Sequence, residues 1–319
     1  MNRIQEHHIN SAQDLIYKFM SPTPQYSWSL LNEAAGNEIW VKHENHTPTG
    51  AFKIRGGIVY LNNHKKDAED FISATRGNHG QSIAFASRIF GKKAHIFVPE
   101  CNCPDKNAAM EGFGAAVFKS GKTFDEAKAN CARHSCENNY HFVPSYHDDL
   151  VIGVATYAYE FMKTVEGLDV VYVPIGLGSG ICANILVRDM LGLKTKIIGV
   201  VAEKANAYEQ SYKSGKIIPT KTTDTFADGL AVGTPHEEAF AIIQNGAEDV
   251  VSVSETEIAD AIRLYFSTTH NVAEGAGAAP LAAAIKHKDK NKGKKCGVIL
   301  SGGNINKDIY TNILNHNFN

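Results

Sequence analysis

Short, almost unbroken runs of Val, Ile and Ala alternate along this chain with longer amphipathic stretches, and no other feature constrains the fold as much. The strand-like runs lie at 39–42, 71–74, 95–99, 115–118, 170–175, 196–202, 249–253 and 296–300. Helical periodicity occupies 11–19, 81–90, 124–138, 181–191, 255–269 and 278–287. Strands apolar on both faces and separated by helices predict parallel sheets covered on either side. The expected fold is therefore α/β, with two open, mostly parallel twisted-sheet domains. The spacing is too uneven for an eightfold barrel, and no internal repeat is visible. A length of 319 residues suits two domains. No Gly/Ser or Pro-rich linker marks their boundary, and 143–149 is the least regular stretch.

Ligands of open α/β folds sit at the carboxyl ends of strands, so the strand-to-helix turns are where chemistry is sought. The first such turn, Thr47-Pro48-Thr49-Gly50, leads into a helix that carries Lys53, with Phe52 beside it. The helix dipole prefers anions in a first turn, so a lysine there is a candidate nucleophile or an ordinary surface residue. The second turn is Thr75-Arg76-Gly77-Asn78-His79-Gly80. Its amides can bind a carboxylate, which makes Thr75, Arg76, Gly77 and His79 candidate substrate contacts. Asn78 can hydrogen-bond a ring oxygen.

In the third turn, Gly176, Leu177, Gly178, Ser179 and Gly180 follow an apolar strand and open a helix. Converging amides at a helix N-terminus suit a phosphate. A dinucleotide-binding reading competes, because Glu203 ends the next strand where a ribose-binding acid would stand. Against it, the last position of G-x-G-x-x-G is Ile181. In the fourth turn, Ser301-Gly302-Gly303-Asn304, Ser301 can cap a helix or offer a hydroxyl to a heteroaromatic nitrogen. An amine, a phosphate cradle, a ring-oxygen partner and a ring-nitrogen partner together match the needs of pyridoxal 5'-phosphate.

Composition excludes several other classes. With 43% hydrophobic and 21% charged residues and a formal net charge of -2, the chain is an ordinary globular one with no basic footprint for nucleic acid. The basic run at 286–295 reads as a solvated loop. None of the six cysteines forms a CxxC pair, as expected in a reducing compartment. No signal-like or membrane-length apolar segment is present, so a cytoplasmic, unanchored protein is expected.

The chain resembles the fold type II pyridoxal-phosphate enzymes, specifically the serine/threonine dehydratase and serine racemase group. The resemblance rests on KHENHTPTGAFKIRGG, ATRGNHGQSIAFA, PIGLGSGICAN, TFADGLAVGTP, EGAGAAPLAAA and SGGN, in that order. It implies Lys53 as the Schiff-base lysine, Asn78 at the cofactor's ring hydroxyl, residues 176–180 as the phosphate loop and Ser301 at the pyridine nitrogen. It also implies a small domain, 50–148, inserted in a large one, 1–49 and 149–319, with the site between them. The implied activity is dehydration and deamination of a β-hydroxy amino acid, threonine or serine, to a 2-oxo acid and ammonium. A homodimer is expected, and no regulatory domain is expected beyond Asn304.

Several positions depart from the family pattern. Similar racemases carry serine where this chain has Arg76, and arginine is a poor proton shuttle, so racemisation becomes a minor alternative. Arg76 suits a clamp for an acidic substrate such as 3-hydroxyaspartate, or a structural salt bridge. Relatives that bind a divalent cation have acidic ligands where this chain has Val201 and Ala207, so no metal is expected there. Val154, in Gly153-Val154-Ala155-Thr156, together with Tyr157 suggests an apolar pocket suited to phenylserine. Glu274 is either near the cofactor edge or a helix-terminal charge, and His79 is expected to orient its loop.

Overall fold

The protein is described by a computed structural model over residues 4–317. Its strands are β1 (Gln25–Ser27), β2 (Glu38–His43), β3 (Asp70–Ala74), β4 (Lys93–Val98), β5 (Ala116–Lys119), β6 (His141–Phe142), β7 (Val170–Pro174), β8 (Lys196–Ala202), β9 (Asp249–Val253) and β10 (Lys295–Leu300). They form a six-stranded sheet in the order β1-β2-β10-β7-β8-β9 and a four-stranded sheet in the order β5-β4-β3-β6. Every pairing is parallel except β1 with β2. The two open, mostly parallel sheets anticipated from the apolar runs are therefore present.

The helices are α1 (Glu6–Ile16), α2 (Ser29–Ala35), α3 (Lys53–His64), α4 (Asn78–Ile89), α5 (Pro104–Gly112), α6 (Phe124–Asn138), α7 (Asp148–Thr164), α8 (Ser179–Met190), α9 (Ala207–Ser214), α10 (Glu237–Gly246), α11 (Glu255–Thr269), α12 (Gly275–Lys286) and α13 (Lys307–Leu314). None of those described is long and apolar enough to cross a membrane.

Strand alternation explains why the large sheet needs cover on both faces. Val170, Tyr172, Val200, Val298 and Leu300 point into a core beneath α11 and α12, while Val171, Val173, Ile197, Val201 and Ile299 point into a second core beneath α7 and α8. A third cluster, including Phe71, Ile83, Ile96 and Met110, fills the four-stranded sheet.

Helix α3 carries Lys53 at its first position and packs backbone to backbone on α7. A Cβ on Gly56 would lie 2.8 Å from the Leu150 carbonyl oxygen, and one on Gly153 would overlap the carbonyl of Arg55. Glycine at these two crossing points lets the helices approach closely. The Ser82 hydroxyl of α4 donates to the Lys53 carbonyl at 2.6 Å, so α3 is held from two sides.

Candidate active site

The Lys53 turn is sewn to the Ser301 turn by backbone pairing. Gly50 N–H donates to Thr47 O at 2.9 Å, Phe52 N–H to Ser301 O at 3.0 Å and Gly303 N–H to Gly50 O at 2.9 Å. The Thr47 hydroxyl accepts from Ala51 N–H at 2.9 Å and closes the turn from within. This lattice delivers Lys53 with its amine 3.1 Å from Ser179 Oγ, donating to it, and 5.0 Å from the Phe52 ring centre. Burial pushes the Lys53 ammonium down from 10.5 to about 8. No carboxylate counters that effect.

Opposite the amine, β7 ends in the glycine loop. Gly178 sits at φ 106°, where a side chain would be strained, and its Cβ would also lie 2.6 Å from that of Ala239. Among the described residues, the amides of Gly176, Leu177, Gly178, Ser179 and Gly180 reach no backbone acceptor. Gly178, Ser179 and Gly180 are buried. Buried N–H groups without partners carry a penalty that an anion would remove, and the α8 dipole adds to the attraction. The loop is braced from behind. Tyr208 OH donates to Leu177 O at 2.9 Å, and Asn184 Nδ2 donates to Gly180 O at 2.9 Å.

Asn78 opens α4 with its amide tied at both ends. Its Nδ2 donates to Glu274 Oε1 at 2.6 Å, and its Oδ1 accepts from Asn304 Nδ2 at 2.9 Å. Asn304 also donates to the Thr49 carbonyl at 2.8 Å, so three of the four turns meet at one amide pair. The Glu274 carboxyl does not cap α12. It is buried, and burial lifts its pKa to about 7 against the lowering pull of Lys106 and Asn78. Lys106 donates to Asp228 at 2.6 Å; burial alone would lower its pKa, but Glu274 and Asp228 outweigh this and raise it.

The remaining sequence candidates are placed unequally. Thr75 is buried and its hydroxyl accepts from Gly77 N–H at 3.1 Å, while a Cβ on Gly77 would press on the Lys106 side chain at 2.9 Å. His79 is buried, its Nε2 finds no partner, and burial followed by the charge of Lys53 drops its pKa to about 3, so it stays neutral. Arg76 is exposed with its guanidinium 5.8 Å from the Phe124 ring centre, and it makes no ion pair among the described residues. The salt-bridge alternative for Arg76 is not what the structure contains. The apolar-pocket expectation also fails as stated. Val154 is locked in the core, and Tyr157 lies behind the loop, 5.9 Å edge-on to Phe52 and accepting from Asn184 at 2.9 Å. Glu203 is exposed, Val201 and Ala207 are buried, and Ile181 is core.

A buried charge network behind the site escaped the sequence reading. Arg55, two residues after Lys53, contacts Glu44 through Nε at 2.8 Å and Glu160 through Nη1 at 2.6 Å. Lys42 reaches Glu160 at 2.5 Å and the Thr23 carbonyl at 2.8 Å. The two guanidinium and ammonium charges match the two carboxylates. Burial opposes ionisation of Glu160, but Arg55 and Lys42 win and lower its pKa. The signal was present as Lys42, Glu44 and Arg55 within one motif. Glu160 lies a hundred residues away and could not be assigned to it.

An open α/β scaffold holding a partly buried amine against a cradle of unpaired amides defines a class of enzyme that works through a phosphorylated carbonyl cofactor. Comparison with known proteins carries this to a family. Residues 16–302 match the family described as pyridoxal-phosphate dependent enzyme. The L-threonine ammonia-lyase of Thermotoga maritima is 34% identical over 312 residues, covering 96% of this chain and 77% of that protein. The L-threo-3-hydroxyaspartate ammonia-lyase of Saccharomyces cerevisiae is 31% identical over 306 residues, covering 95% and 94%. The crystal structure of serine racemase from Dictyostelium discoideum matches with a TM-score of 0.85 at 29% identity, covering 95% of this chain and 99% of that one. The chain belongs to the pyridoxal-phosphate dependent enzymes and has their fold type II architecture. The free loop amides and the amine of Lys53 fit the phosphate and the aldehyde of that cofactor.

Proposed function

We propose that the protein dehydrates and deaminates a β-hydroxy amino acid, releasing a 2-oxo acid and ammonium. One observation carries the reading: the Lys53 amine, with its pKa brought down to about 8, lies 3.1 Å from the hydroxyl of Ser179, whose own amide belongs to the loop that finds no acceptor among the described residues. At pH 7.5 about a quarter of such amines are neutral, against about one in a thousand for an ordinary lysine. When bound, pyridoxal phosphate supplies an electron sink for the charge left at Cα. Lys53 would anchor it through its amine, and the freed amine would take the Cα proton. The amides of 176–180 and the Ser179 hydroxyl would hold its phosphate, Phe52 would pack beside it, and Asn78 would orient its ring oxygen. Ser301 would offer its pyridine nitrogen a neutral hydroxyl, which would favour elimination over transamination.

In this reading the catalytic unit comprises a small domain over 50–148 inserted in a large one over 1–49 and 149–319, works as a homodimer and resides in the cytoplasm. Thr75, Gly77 and His79 line the substrate carboxylate. Arg76 favours an acidic substrate, because it is exposed and its guanidinium pairs with no carboxylate among the described residues. The yeast relative named for 3-hydroxyaspartate supports the same choice.

The test is direct. Purified protein is expected to be yellow, and borohydride is expected to fix the cofactor to Lys53. Serine, threonine, 3-hydroxyaspartate and phenylserine are then compared by 2-oxo acid release. A colourless protein that binds a nicotinamide nucleotide overturns the proposal. Arg76→Ala is expected to lose at least tenfold more activity on 3-hydroxyaspartate than on threonine, and equal losses overturn the clamp.

A further inference from the structure

At the opposite end of the Lys53 helix, five residues that the proposed reaction does not use come together. His64 ends α3, Asp67 follows it, His141 lies in β6, His147 caps α7 and Asp149 lies in its first turn. We propose that His64, His147 and Asp149 form a binding site for a borderline transition-metal ion of the zinc class.

Three observations converge on this assignment. The first is distance. The ligand atoms of His64, His147 and Asp149 all lie within 4.8 Å of one another. His64 Nε2 is 3.0 Å from Asp149 Oδ2, and His147 Nδ1 is 3.6 Å from the same oxygen. A tetrahedral ion with bonds of about 2.0–2.2 Å needs ligand atoms roughly 3.3–3.5 Å apart, so these two edges require shifts of only a few tenths of an ångström.

The second observation is the supporting shell. Asp67 Oδ2 lies 2.8 Å from His64 Nδ1 and accepts from it, which holds the ring with Nε2 facing Asp149 Oδ2, where an ion would take the place of the Nε2 proton. Asn63 Nδ2 donates to Asp149 Oδ1 at 2.9 Å and leaves Oδ2 aimed inward. A carboxylate behind a histidine and an amide behind a carboxylate are the partners that orient metal ligands. The Tyr60 ring stacks on His64 at 4.4 Å and meets His147 edge-on at 5.1 Å, fixing both imidazoles.

The third observation is access. The side chains of His64, His147 and Asp149 are 25%, 40% and 18% exposed, so an ion can enter and keep water at a fourth position. Two imidazoles and one carboxylate select zinc-class ions over magnesium or calcium, which require oxygen donors.

A competing set, His64, Asp67 and His141, is weaker. Tyr60 OH already engages His141 Nε2 at 2.9 Å, and Asp67 is half exposed. Capture of the ion has one local cost. Asp149 N–H donates to His147 Nδ1 at 3.1 Å, and that cap of α7 would be given up for the metal bond. The ion would join the far end of the Lys53 helix to the segment leading from the four-stranded sheet into α7. The expectation of no cation at Val201 and Ala207 concerned a different place. This cluster is dispersed over 64, 147 and 149 and has no local motif.

The experiment uses the full-length, cofactor-loaded protein, stripped with chelator and titrated with zinc chloride by calorimetry, then with cobalt chloride by visible absorption. One zinc per chain is expected, with cobalt giving the intense bands of a four-coordinate site. His64→Ala and His147→Ala are each expected to weaken zinc at least tenfold, and Asp67→Asn about 10–100-fold through loss of the supporting shell. Circular dichroism identifies any variant that fails to fold, and His147→Ala, at the most exposed ligand, keeps the test open in that event. Binding that is weaker than millimolar, below one equivalent per chain, or unchanged in His147→Ala and Asp67→Asn overturns the proposal.

Discussion

Replacing Lys53 by methionine is expected to abolish activity and at the same time stabilise the cofactor-free protein. The side chains are close in length, so packing against Phe52 and Ser179 is largely kept. What is removed is an ammonium whose pKa folding lowers from 10.5 to about 8. That gap corresponds to about 3 kcal/mol of cost for holding the charge in the folded state. Lys53 is partly exposed, and solvent screening reduces the expected gain to about 1–3 kcal/mol. The sign follows from linkage. The unfolded chain binds this proton more tightly than the folded one, so the penalty is full below about pH 8, shrinks between pH 8 and 10.5, and vanishes above. Urea unfolding of cofactor-free wild type and Lys53→Met at pH 7 and pH 10 measures it, with the variant ahead at pH 7 and the gap narrowing at pH 10. A variant no more stable than wild type at pH 7, or an equal gap at both pH values, would refute the claim that burial sets the reactivity of this amine.

Glu160→Gln leaves Arg55 and Lys42 buried with a single carboxylate, and a loss of about 3–5 kcal/mol in chemical denaturation is expected; a loss below 1 kcal/mol contradicts the network's role. Gly178→Ala forces a side chain to φ 106° and onto Ala239, costing about 1–3 kcal/mol, and at least tenfold weaker cofactor affinity is expected in an absorbance titration. Glu274 has its pKa raised to about 7, so its burial costs nothing below about pH 4.5 and most above pH 7. Glu274→Gln should therefore gain stability relative to wild type as pH rises from 5 to 7, and parallel pH profiles would count against it.

The legibility of this chain followed the range of its interactions. Strands β7, β8 and β10 were readable because each is apolar on both faces and lies in a parallel sheet, so burial leaves a continuous run. Helix α7 is not, and the stretch 143–149 that leads into it has no regular pattern. Its residues Leu150, Val151, Val154, Ala155, Tyr157, Ala158 and Phe161 are all buried between α1, α3 and α8, which erases the polar stripe that marks an amphipathic helix. Lys53, Asn78, Ser301 and the glycine loop could be proposed from sequence because each stands in a local turn with its own chemistry. Asn304, Lys106 and Asp228 have their meaning only through partners distant in sequence, as in the 2.6 Å contact of Lys106 with Asp228.

The charge network and the free amine of Lys53 start from the same helix and are kept apart on it. Two carboxylates, Glu44 and Glu160, lie in the core behind α3 and act on Arg55 and Lys42, while burial is the cause that lowers Lys53. Arg55 and Lys42 pair with them at contacts of 2.5–2.8 Å, so the charges of this cluster balance among themselves. Arg55 does this from the same helix, two residues away, which turns its guanidinium toward the core while Lys53 faces the glycine loop. Burial then acts on Lys53 alone, with Ser179 as its hydrogen-bond partner and no anion until a ligand supplies one. The motif Lys42-His43-Glu44 followed by Lys53-Ile54-Arg55 therefore encodes two functions at once: a saturated ion cluster that fixes the helix, and an amine left unpaired at its start.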